Sequence, residues 1–248
     1  CNTGFQVHLQ VGPEDFVHKY NIAQLVTAPV LAATAGSPIL FGKRLWSETR
    51  IALFQQSVDT RTVGDHLRES SPRVTFGNEW VNESILEIFQ EDTARYRVML
   101  SSEVTEDVEK MLEEGQPPEL RALQVHNGTV YRWNRPCYGI TDGKAHLRIE
   151  NRVCPSGPTV TDEVANSAFW LGLMNKMGDY YPNVSEEMDF DDARMNFVAA
   201  SKMGLDTKFR WFDEKRHNAV DLITEELLPI AKEGLQEANI NDSDITDY

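Results

Sequence analysis

The chain has 248 residues, enough for one large domain or two small ones with a substantial core. Hydrophobic residues make up 41% and charged residues 25%, a globular mixture rather than a disordered or fibrous one. A formal charge of −15 speaks against nucleic acid and anionic membrane surfaces as partners, because both attract basic faces, yet a local arginine cluster can still hold a small anion.

The longest apolar-rich stretch, residues 28–35, is too short to span a bilayer. Residues 1–11 have neither the basic start nor the apolar run of a signal peptide. Three cysteines (Cys1, Cys137 and Cys154) form no CxxC pair, and their odd number argues against a disulfide framework. A reducing cytoplasm is the expected compartment. Residue 1 is not Met, residues 3–11 read as a strand with no lead-in, and residues 239–248 are an acidic stretch that completes no element. We therefore expect an internal fragment of a longer chain.

In chain order, Phe5, Val7, Leu9 and Val11 alternate with Gln6, His8 and Gln10, which predicts a strand with one polar face. Gly12-Pro13 ends it, and residues 14–35 predict a largely apolar helix, kinked at Pro29. Gly36-Ser37-Pro38 is a turn, followed by a loop and a helical segment over 48–57. Residues 72–78 read as loop. Asn82 is the expected N-cap of a helix to about residue 100, and Thr105 opens another that Gly115 and Pro117-Pro118 close. Residues 129–135 and 145–153 are rich in strand formers and flank Thr141-Asp142-Gly143, which predicts an antiparallel hairpin. Helices are expected over 159–177, 189–203 and 218–237. With no repeat, low-complexity tract or linker, the simplest reading is one α+β domain over residues 1–248.

The most informative stretch is His146-Leu147-Arg148-Ile149-Glu150-Asn151-Arg152-Val153. On a strand, His146, Arg148, Glu150 and Arg152 share one face, and Leu147, Ile149 and Val153 the other. Such a row suits a site where a carboxylate holds a divalent cation and guanidiniums hold phosphate. An exposed face with cross-strand ion pairs produces the same pattern. Gln6, His8 and Gln10 offer a second polar face, on which His8 is either a ligand or a hydrogen-bonded structural histidine. Arg50 and Arg61, with Glu48 and Asp59 nearby, read equally as a solvated helix with internal pairs.

Five blocks in order resemble the glutamate–cysteine ligase family, most closely its plant-type and bacterial carboxylate–amine ligase branches. They are Thr3-Gly4-Phe5-Gln6-Val7-His8, residues 28–35 running into Gly36-Ser37-Pro38, Ser47-Glu48-Thr49-Arg50, Asp59-Thr60-Arg61, and Glu150-Asn151-Arg152 with its following helix. The resemblance covers roughly residues 1–240. It implies a glutamine synthetase-like catalytic domain, a curved antiparallel sheet with helices on one face. It also implies amide formation in two steps, in which ATP phosphorylates a carboxylate and an amine attacks the acyl phosphate, with ATP and Mg as cofactors. Glutamate and cysteine are the implied substrates. Small molecules are the expected partners, not nucleic acid or membrane, and a homo-oligomer is left open.

Carried over residue by residue, the resemblance makes Glu150 a metal ligand and Arg152 and Arg135 phosphate-contacting, catalytic arginines. Gln6 and His8 fall where the family strand faces metal and nucleotide, and Arg50 and Arg61 where substrate carboxylate or phosphate is held. Arg132 and Arg148 match less closely. Cys137 and Cys154 need no role, because phosphoryl activation requires no protein nucleophile. Two departures stand out. No Gly-x-Glu-x-Glu strand is present to supply further carboxylates, so the fragment alone is expected to be inactive, and Gly36 replaces the usual Asn of the turn. The rivals are a non-catalytic small-molecule-binding module of the same fold and a kinase-like enzyme that releases the acyl phosphate.

Overall fold

The structure, a computed structural model, describes residues 4–59, 61, 72–101, 103, 106–212 and 215–248. The expectations resting on Cys1, Thr3, Thr60 and Thr105 lie outside the described residues. The chain runs through β1 (Val7–Val11), α1 (Phe16–Thr34), β2 (Ile39–Leu40), β3 (Lys43–Arg44) and α2 (Thr49–Ser57). Then come β4 (Val74–Thr75), α3 (Ile85–Arg95), α4 (Val108–Glu113), α5 (Arg121–Asn127) and β5 (Tyr131–Arg132). The hairpin β6 (Asn134–Thr141) and β7 (Lys144–Asn151) is followed by α6 (Val160–Tyr180), α7 (Val184–Glu187) and α8 (Phe190–Met203). A short hairpin, β8 (Lys208–Arg210) and β9 (Arg216–Asn218), leads to α9 (Ala219–Leu222), a π-helical turn (Ile223–Leu227), α10 (Leu228–Glu237) and α11 (Asp242–Asp247). Helices and small, mainly antiparallel sheets mix in one chain, in keeping with the α+β expectation. No helix of the described residues is long and apolar enough to cross a membrane.

Local chemistry explains most boundaries. Thr159 and Asp162 form a capping box at the start of α6, and Asp189 accepts from the Asp191 N–H at the start of α8. The β6–β7 turn places Asp142 and Gly143 at φ 51° and 73°, the left-handed pair that a two-residue hairpin needs. Three expectations need correction. The helix expected from Asn82 starts at Ile85, because Ser84 with Glu87 makes the capping box, and it ends at Arg95. Residues 72–78 are not all loop, since Val74–Thr75 pairs in parallel with Tyr131–Arg132. The first hairpin strand extends to Thr141, because the tight Asp142-Gly143 turn brings Thr141 opposite Lys144.

Helix α1 is the centre of the molecule. It is apolar on nearly all sides, and such a helix must be covered on all sides. The sheet, α6 and α8 pack around it, burying Ile22, Ala23, Val26, Val30 and Leu31. The three-stranded antiparallel sheet has the order β1-β7-β6, so β1 and β6 are its edges among the described residues. Val7 and Ile149 belong to the core under this sheet. Asn134 and Asn151 face each other on the same side, in a buried polar chain. The Asn151 amide donates to Asn134 Oδ1 (3.3 Å), and the Asn134 amide donates to Gln24 Oε1 and Thr27 Oγ1 (2.7 Å each), which fixes α1 to the sheet.

Candidate functional site

The face of the sheet turned away from α1 carries the polar residues of all three strands. The register sets His8 opposite Glu150 and Glu150 opposite Arg135, so the three form one row across β1, β7 and β6. The next row is Gln10, Arg148 and Cys137. Because side chains alternate along a strand, two adjacent rows of one face lie two residues apart. The strand parity read from the sequence therefore brings His8, Arg135, Arg148 and Glu150 together.

Two hollows open on this face. One, of about 280 Å³, is lined by His8, Arg135, Cys137, Arg148 and Glu150, and closed by Phe89 of α3 and by Leu123, Gln124 and Asn127 of α5. The other, of about 220 Å³, is lined by Gln6, Arg50, Phe54, Arg132, Trp133 and Arg152. Glu150 links them. Its Oε1 accepts from Arg152 Nε at 3.0 Å, and its Oε2 lies 3.5 Å from Arg135 Nη1. The Cys137 thiol also donates to Oε2, at 3.4 Å.

The arginines differ in what they are free to do. Arg50 is buried, and its Nε donates to Glu48 Oε1 at 3.1 Å while its Nη groups reach the carbonyls of Arg152 and Val153. It therefore ties the end of β7 to the start of α2. Arg132 is paired with Asp92 (2.6 Å) and Glu91 (2.7 Å) and held in place. Arg61 binds Asp59 at 2.6 Å and lines neither hollow. Arg152 leans toward the Tyr131 ring, 6.0 Å from its centroid. Arg148 has no ion pair among the described residues, and its Nε is buried without a hydrogen-bond partner. His146, on the same face, is turned away to Thr141 Oγ1 at 3.0 Å.

Burial pushes the Cys137 and Cys154 thiols up to about 11 from an ordinary 9.0, and the neighbouring Glu150 carboxylate adds to the effect at Cys137. Both stay protonated at neutral pH, which suits hydrogen-bonded packing and not nucleophilic attack.

A carboxylate-rich metal centre does not fit these residues. Glu150 is the one acid lining the two hollows, both its oxygens face cations, and no group of three His, Cys, Asp or Glu among the described residues could hold a metal ion. What the face does fit is anion. Arg135, Arg148 and Arg152 outnumber Glu150 on it, and Arg148 is left with donors to offer.

The sequence does not point to α5 as a wall of this site. A seven-residue helix entered from a left-handed Leu120 has no amphipathic periodicity to read. Arg148 carries a legible signal, since it shares strand parity with Glu150.

The family model of glutamate–cysteine ligase family 2 matches residues 2–245, nearly the whole chain. None of the curated proteins matches it.

Proposed function

The chain belongs to glutamate–cysteine ligase family 2, a family of carboxylate–amine ligase type, and we propose that it serves ATP-dependent amide formation between glutamate and cysteine. In this reading residues 1–248 are one catalytic domain of glutamine synthetase-like fold, with β1, β7 and β6 as part of its curved sheet. A carboxylate oxygen takes the γ-phosphoryl group of ATP and releases ADP. The amine nitrogen then attacks the acyl carbon, the C–O bond to phosphate breaks, and phosphate and a proton leave.

The observation that carries the proposal is the arginine row around Glu150 in a chain of net charge −15. Negative charge gathers on the activated carboxylate and on the phosphoryl group in both steps. Fixed guanidiniums stabilise it without reorganising at the moment of reaction. Arg148 and Arg135 would hold phosphoryl oxygens in the first hollow. Arg152 and Gln6 would hold the second anionic group beside them, with Arg50 holding the strand end in place. Glu150 keeps the guanidiniums apart and oriented, and His8 faces the same space.

The test has two arms. Calorimetric titration of the chain with ATP measures anion binding, and product analysis with glutamate, cysteine and ATP-Mg, in the longest natural form of the chain, measures γ-glutamylcysteine and phosphate release. Amide formation that needs Arg148 and Arg152 is the expected result. Acyl phosphate accumulating without amide would replace the reading by a kinase-like one, and nucleotide binding without either product by a binding module.

A further inference from the structure

The hairpin β2–β3 presents a surface that a solitary molecule would not expose. Its two-residue turn sets Phe41 and Gly42 at φ 50° and 75°, a pair of left-handed conformations for which Asn-Gly is the favoured sequence. Phenylalanine is poorly suited to that backbone, and its ring gains nothing there, since Phe41 is 94% exposed. Ile39 (69%) and Leu45 (48%) stand exposed beside it. Lys43 and Arg44 complete the tip, and neither forms a salt bridge among the described residues. A bulky aromatic held in a strained turn, with two unpaired cations, is a tip built to enter something.

A hollow of matching character lies elsewhere on the same chain. It measures about 860 Å³ and lies between α6, α10 and α11, with Val164, Phe169, Leu228, Leu235, Ile240 and Tyr248 among its walls. No residue of the hairpin lines it. Its rim is acidic on one side. Asp244 lines it, and Asp242 and Asp247 flank Asp244 on the same short helix, none of them bound to a cation among the described residues. Lys232 is the single cation in its lining among the described residues.

We propose that the Phe41 hairpin tip of one copy docks into the α6–α10–α11 hollow of a second copy of this chain. The ring fills apolar space, and Lys43 and Arg44 meet the aspartates of α11. This burial removes the exposed aromatic surface and pairs charges of opposite sign, which steers and orients the encounter. Donor and acceptor patches differ, so the contact closes as a reciprocal two-fold pair where each tip reaches the other copy's hollow, and otherwise builds larger rings or open chains.

Mixing distinguishes this contact from one in which a patch meets its own copy. Phe41→Asp removes the tip but keeps the hollow, and Ile240→Asp spoils the hollow but keeps the tip. Far-UV circular dichroism and thermal melting of each variant show whether it is folded. Lys43→Glu with Arg44→Glu, at exposed positions, provides a second tip variant whose folding is not at issue. By sedimentation velocity the parent chain should associate with rising concentration. Each single-site variant alone should be monomeric, and the double charge reversal should weaken association roughly tenfold or more, less so at high salt. An equimolar mixture of Phe41→Asp with Ile240→Asp should give a 1:1 dimer and nothing larger. A parent chain that stays monomeric at every concentration overturns the proposal. So does undiminished association of the tip variants, a mixture that stays monomeric although both components are folded, or binding of the parent to phosphatidylserine vesicles without self-association.

Discussion

Arg152 meets Glu150 at 3.0 Å, Nε to Oε1, whereas Arg148, two residues to the other side on the same face, meets no acid among the described residues. One arginine is thus held by the site and the other is held ready for something else. Arg148→Ala should therefore weaken binding of inorganic phosphate or ATP by roughly tenfold or more, the worth of a charged hydrogen bond. Folding stability should stay within about 0.5 kcal/mol of the parent, because no partner is left unpaired. Calorimetric titration and urea denaturation check the two halves separately. Unchanged phosphate affinity would remove Arg148 from the site.

Glu150 should give opposite signs in binding and in turnover. It is the one carboxylate between Arg135 and Arg152, so it both repels an incoming anion and keeps the guanidiniums oriented. Glu150→Gln should strengthen inorganic phosphate binding by about fivefold, the scale of one partly screened charge interaction. In the longest natural form of the chain it should lower amide formation by about 100-fold, the scale seen when a fixed charge-stabilising group is lost. Loss of both phosphate binding and thermal stability together would mean that Glu150 does nothing beyond holding the fold.

Arg50 belongs to a different class. Glu48 is 0% exposed, and its carboxylate is satisfied by the Gly36 N–H (3.0 Å), the Ser37 hydroxyl (2.6 Å) and Arg50 Nε (3.1 Å). Removing the arginine would leave a buried carboxylate without its cation and two β7-end carbonyls without donors. Arg50→Ala should cost about 3–5 kcal/mol of stability, read as a lowered urea midpoint, while Arg152→Ala should cost less because the buried Glu150 keeps Arg135 at 3.5 Å and the Cys137 thiol at 3.4 Å. Equal losses for the two variants would contradict this division between a positioning arginine and an anion-binding one.

The parts of this architecture that depend on period and turn chemistry are legible in the sequence. The alternation over 5–11, the Asp142-Gly143 turn and the row of His146, Arg148, Glu150 and Arg152 each follow from local rules. What is not legible depends on contacts distant in sequence. Asn134 reads as one polar residue in a strand, yet 107 residues separate it from Thr27, its hydrogen-bond partner beneath the sheet. Arg50 reads as a contact for substrate carboxylate or phosphate, and nothing local in the sequence tells that its guanidinium is hydrogen-bonded to Glu48 and to carbonyls about a hundred residues away. Asn134→Leu should accordingly destabilise the chain by about 2–3 kcal/mol, since Gln24 Oε1 and the Asn151 amide would be buried without the partners they have now, while Thr27 keeps its bond to the Ala23 carbonyl. Chemical denaturation measures that cost, and a neutral effect would mean that the polar chain is not needed to dock α1.

Alkaline pH should unfold the chain earlier than its surface charge alone would. Burial raises Cys137 and Cys154 from 9.0 to about 11 and Tyr20 from 10.0 to about 12. These groups are neutral when protonated, and in the folded chain they hold their protons to a higher pH than in the unfolded chain. Their contribution to stability is thus fully present below pH 9 and is lost as pH rises through 11 to 12, because over that window the unfolded chain has released protons that the folded chain retains. A tenfold difference in acidity between the two states corresponds to about 1.4 kcal/mol, so each thiol, shifted by two such steps, accounts for a decline on the order of 3 kcal/mol once the pH has passed about 11. Urea midpoints measured from pH 8 to 11 should fall steadily above pH 9. The pair Cys137→Ser with Cys154→Ala should flatten most of the fall between pH 8 and about 9, where Tyr20, with an ordinary value of 10.0, is still mostly protonated in both states. A parent and a cysteine variant with the same slope above pH 9 would show that the thiols are not the groups being titrated.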